Sequence, residues 1–78
     1  MNIAVEIPRQ NWDALEFQVI ERKAAIRVAP GVRAMREPMR WLFDHLSTED
    51  AKLEIRRIRG MQPPEAQAWI DAALAEMC

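Results

Sequence analysis

Two amphipathic stretches, Met35–Leu46 and Ala51–Arg59, are separated by one or two residues around Ser47 and the acidic turn that follows it. Connections that short join antiparallel neighbours, so a helical hairpin is the frame on which any fold of this chain is built. On a wheel advancing about 100° per residue, Met35, Met39, Leu42, Phe43 and Leu46 gather on one side, the stripe of a helix resting on a core. Arg33, Arg36, Glu37, Arg40 and Asp44 gather opposite, with Arg40 and Asp44 four apart and able to pair. Pro38 bears on where this helix starts, because proline inside a helix removes a hydrogen bond and restrains the residue before it. The expected start is therefore near Pro38, after a loose turn over Val32–Arg36 that holds Arg33 and Arg36. The other reading starts the helix at Gly31–Val32 and kinks it.

The second half of the hairpin opens on Ser47-Thr48-Glu49-Asp50, a hydroxyl cap followed by acids in the first turn. It runs to about Arg59 and stops at Gly60. Ala51, Ile55 and Ile58 share its core face, and Leu53 points nearly the other way. Gln62-Pro63-Pro64 breaks the chain, with proline suited to a first helical turn. The last helix then presents Ala66, Trp69, Ile70, Ala73, Leu74 and Met77 on one face.

Upstream of the hairpin the pattern is less decisive. Ile3, Val5 and Ile7 alternate and read as a short N-terminal strand ended by Pro8. Such a strand needs a mate, either in this chain or in a second copy, which makes it a route to a homodimer. Asn11 suits an N-cap, and Trp12 to about Val28 is dense in helix formers. Trp12, Leu15, Val19 and Ile26 share one face of that helix, and Phe17, Ile20, Ala24 and Val28 a second. Apolar on two sides, it belongs in the middle of a bundle. A rival reading makes 15–21 and 24–28 a hairpin, but Glu21–Lys23 offers no glycine or asparagine for its turn. The expected architecture is thus a single domain over residues 1–78, mostly α, with about four short helices and an N-terminal strand. The alternative is α+β: a small antiparallel sheet from 2–7, 15–21 and 24–28, followed by three helices.

What the sequence lacks narrows function. The chain has 78 residues, one histidine and one cysteine, too few ligands for a zinc site and no partner for a disulfide. A core this small gains stability from close helix packing or from association. Two isolated glycines cannot build a phosphate-cradling loop. Ser47 is accounted for as a cap, and His45 as a packed residue beside Trp41 and Leu42, so no catalytic residue, cofactor or metal is expected. The N-terminus does not read as a signal peptide, and no stretch reaches the roughly 18 apolar residues of a membrane span. Those features fit a cytoplasmic protein.

The net charge of −1 does not favour a general nucleic-acid binder, yet its distribution is uneven. Residues 31–61 carry seven basic and five acidic side chains, while 62–78 carry three acidic and none basic. The basic series Arg33, Arg36 and Arg40 with Lys52, Arg56 and Arg59, together with the off-stripe Trp41, is the candidate partner-binding surface. Trp41 has a second reading, in which it packs under the N-terminal segment instead of anchoring an interface. The two flanks of the hairpin either face each other, making a groove for an acidic surface, or turn apart as ordinary solvated edges. The expected function is a non-enzymatic adaptor or inhibitor docking on a larger, acidic protein, of the kind found among bacterial and phage accessory proteins. Two alternatives stand beside it: a helix-turn-helix-like nucleic-acid binder using Arg56, Arg57 and Arg59, and a self-assembling structural subunit.

Overall fold

A computed structural model of the chain describes residues 14–77, which form four helices and no strand. We number them α1 (Ala14–Val28), α2 (Val32–His45), α3 (Thr48–Gly60) and α4 (Pro64–Met77). The expected N-terminal strand, the Asn11 cap, Trp12 and Cys78 lie outside the described residues. The α2–α3 hairpin is the centre of the fold. Each of its helices touches all three others, whereas α1 and α4 flank the pair without touching each other.

Sequence periodicity places the core correctly on the hairpin. Met35, Met39 and Leu42 from α2 and Ala51, Ile55 and Ile58 from α3 are fully buried. Ile70 and Ala73 close the core from α4, while Trp69, Leu74 and Met77 pack at its edge. Leu53, on the far side of α3, is exposed. The Ser47 hydroxyl accepts a hydrogen bond from the Asp50 amide at 3.1 Å, so α3 begins where its cap predicts.

The start of α2 corrects the sequence reading. The helix opens at Val32, so Arg33 and Arg36 belong to its regular wheel rather than to a lead-in turn, and Pro38 sits inside it. Two features offset the amide hydrogen bond that Pro38 cannot make. Its ring is buried, adding apolar bulk to the stripe between Met35 and Met39. Gly31 supplies the entry, with φ 142° and ψ 179°, a conformation open essentially to glycine alone.

Residues 14–28 form one continuous helix, which overturns the hairpin reading and with it the sheet that included 15–21 and 24–28. Without a turn residue at Glu21–Lys23, the strong helix formers around it prevail. The central placement expected for α1 is also overturned. Val19 and Ile26 are buried, but the second face lies open, with Phe17 60%, Ile20 59% and Val28 79% exposed. Only one side of α1 meets the hairpin, because α4 occupies a different flank.

Candidate docking surface

The two basic flanks of the hairpin turn to the same side, and α4 lies along them. Arg36 of α2 reaches Glu76 of α4 with Nε 2.9 Å from Oε1 and Nη2 donating to Oε2 at 3.0 Å. Arg59 of α3 grips Asp71 of α4 in a fork, Nε donating to Oδ1 at 2.8 Å and Nη2 to Oδ2 at 2.9 Å. These hydrogen bonds hold the Asp71 carboxyl below its ordinary range and raise the Arg59 guanidinium in turn. Arg36 and Arg59 are thus paired with acids of the chain's own last helix.

The remaining cations divide. Among the described residues no ion pair includes Arg33, Arg40, Lys52 or Arg56. The expected Arg40–Asp44 pair is not among those ion pairs, although both side chains border the same space. Arg40 and Lys52 come together across the hairpin in a cleft of about 670 Å³, lined also by Phe43, Asp44, Thr48, Glu76 and Met77. Phe43 and Met77, its apolar lining, are half-buried, whereas its polar lining residues are exposed. With Glu76 balanced by Arg36, Arg40 and Lys52 outweigh Asp44, so the cleft keeps a positive excess. Arg33 and Arg56 are exposed further along the hairpin, and neither lines the cleft.

Trp41 belongs to a different side of the molecule. It is half-buried against the core edge, with the Arg22 guanidinium of α1 4.9 Å above its ring. The His45 imidazole stacks on it, with centroids 4.1 Å apart and planes 14° from parallel. The His45 Nδ1–H donates to the Trp41 carbonyl at 3.0 Å, which holds the ring in this stack. Trp41 therefore clamps α1 to α2, and its off-stripe position is the position that α1 covers. It does not join the cleft.

Other residues important to these faces were not singled out from the sequence. Lys23 and Glu54 tie α1 to α3 at 2.8 Å, and Arg57 approaches the other Glu54 oxygen at 3.7 Å. The Lys23 contact is an ion pair without hydrogen-bond alignment, since Glu54 Oε1 is buried and has no hydrogen-bond partner. The Gln62 side chain donates to the Arg27 carbonyl at 3.1 Å, fastening the end of α1 to the α3–α4 turn. The roles of Asp71 and Glu76 were within reach of the sequence: an acidic segment with no basic residue, following a basic hairpin, is a complementary pair of surfaces. Of the arginines proposed for nucleic acid, Arg57 and Arg59 are engaged with Glu54 and Asp71. Among the described residues no group of three or more His, Cys, Asp or Glu side chains could hold a metal ion, and no helix is long and apolar enough to cross a membrane. No protein-family model, curated protein or solved structure matches this chain.

Proposed function

We propose that the chain is a non-enzymatic protein-binding module, an adaptor or inhibitor, that docks the Arg40–Lys52 cleft on an acidic surface of a larger protein. The supporting observation is that Arg40 and Lys52 line one cleft with the half-buried Phe43 and Met77, beside arginines already neutralised by α4. Two cations held in that way suit a carboxylate flanked by an apolar side chain. The carboxylate meets the cations at the rim while its neighbour covers Phe43 and Met77. The Arg-rich surface of the sequence reading thereby contracts to its middle pair, with Arg33 and Arg56 as outer, steering charges.

Selection from a displayed library of random peptides tests this reading. Enriched peptides should be acidic with a neighbouring apolar residue, and enrichment should disappear with the Arg40→Glu/Lys52→Glu variant. Enrichment that ignores both charges would contradict it. So would retention of duplex DNA at about 50 mM salt with a steep salt dependence, the signature of phosphate binding.

A further inference from the structure

Among the described residues, the outer face of α1 is an apolar feature that the docking cleft leaves unexplained. Phe17, Ile20, Ala24 and Val28 are all exposed and, at about 100° per residue, fall within about 80° of one another. The centre of this stripe lies nearly opposite the buried Val19 and Ile26. Its spacing of three, four and four residues is that of a helix seam, and it runs almost the whole length of α1.

The charges beside the stripe specify what covers it. Glu16 and Arg27, both exposed, lie on one flank at opposite ends of the helix, and Glu21 lies on the other flank. In a parallel pair of α1 helices, one copy's Glu16 flank faces the second copy's Glu21 flank, setting carboxylate against carboxylate. In an antiparallel pair each flank faces its own copy. Glu16 then approaches Arg27 of the second chain, and Arg27 approaches Glu16, twice across the two-fold axis. The same register puts Phe17 opposite Val28 and Ile20 opposite Ala24, so large side chains meet smaller ones. Arg22 and Lys23 do not interfere, since they are turned to Trp41, Glu37 and Glu54 of the same chain. The face is complementary to itself in one orientation and repels itself in the other.

We infer that the chain self-associates into a two-fold dimer through antiparallel pairing of the outer faces of α1, with Ile20 near the axis and Glu16–Arg27 contacts at each end. This interface lies on a different helix from the cleft, so the dimer presents two docking clefts and tethers two partner sites. One helix face is a small interface, and its association is reversible and concentration-dependent.

Sedimentation equilibrium of the full chain from about 1 µM to about 1 mM tests the inference over the range expected of weak interfaces. The expected result is a monomer–dimer equilibrium in that span. Ile20→Glu should be monomeric throughout, with helix content and dilute-protein Tm unchanged because Ile20 is exposed in the monomer. Glu16→Arg alone and Arg27→Glu alone should each weaken the dimer about threefold to tenfold, the scale of rim ion pairs. The two together should restore it to within about twofold of the wild type. Three results would overturn the inference: a wild-type monomer at every concentration, which assigns the face to residues 1–13 or to another protein; a dimer indifferent to Ile20→Glu; or a charge swap that fails to restore association. Arg40→Glu should leave the equilibrium unchanged, which separates this test from that of the docking cleft.

Discussion

The two helices that flank the hairpin are attached in opposite ways. On the α4 side, ion pairs lie at the periphery of a continuous apolar contact: Arg36–Glu76 and Arg59–Asp71 border Ile70, Ala73 and Leu74. On the α1 side the apolar contact is narrow, with Val19 and Ile26 the only buried residues of the helix. Polar contacts supplement it there: Lys23 on Glu54, Arg22 over Trp41, and Gln62 on the Arg27 carbonyl. The difference lies in what each helix leaves unused. Helix α4 uses its apolar face and two of its acids internally, and leaves Arg40 and Lys52 at its edge. Helix α1 uses one of two apolar faces and turns the other outward.

The largest loss is expected at the element both flanking helices share. Leu42→Ala, at a fully buried position, should cost about 2–5 kcal/mol. Both flanking helices should melt in one transition, and a thermal melt with a separate early step would show α1 to be an independent unit. Within α1 the same residue type occurs on both faces. Ile26→Ala should cost about 2–5 kcal/mol, whereas Ile20→Ala should stay within about 0.5 kcal/mol in dilute protein. Equal losses would mean that the outer face is covered in the monomer. Gly31→Ala should cost about 1–3 kcal/mol by chemical denaturation through backbone strain alone, because a Cβ there meets no atom within 4 Å. Arg22→Ala should cost about 0.5–1 kcal/mol and raise amide exchange in α1 more than in α4.

Asp71→Asn should have the smallest effect, since its pair with Arg59 stands in water. The Asp71 carboxyl is held below its unfolded value of about 3.9, so the pair contributes fully above that pH. Its contribution is lost as pH falls through the lower, folded value. The difference in Tm between wild type and Asp71→Asn should therefore be constant from neutral pH to about pH 5 and vanish in strong acid.

Much of the fold was legible because the hairpin obeys local rules. The Ser47 cap, the Met35–Leu46 stripe and the Ala51–Ile55–Ile58 face are each decided by residues within a turn or two of one another. The misreadings came where a nonlocal contact overrides a local rule. Pro38 argued for a late start to α2, but its ring fills the core, and burial outweighs one missing hydrogen bond. The second apolar face of α1 argued for a central helix, but a helix on one side of a hairpin can bury only one face. The site was half legible. Sequence placed the basic residues on two flanks but not the hand of the hairpin, and the hand brings α4 against Arg36 and Arg59. Trp41 stood between packing and anchoring because its partner, Arg22, lies 19 residues earlier in the chain, beyond the reach of any wheel.

In the proposed function α4 withdraws Arg36 and Arg59 from docking and leaves Arg40 and Lys52 to perform it. Titration calorimetry with a selected acidic peptide tests it, using variants that each remove positive charge without reversing it. Arg40→Gln/Lys52→Gln should weaken binding at least about tenfold, or about 1.4 kcal/mol, while Arg59→Gln should change it less than about twofold. Equal weakening by both variants, or greater weakening by Arg59→Gln, would contradict it.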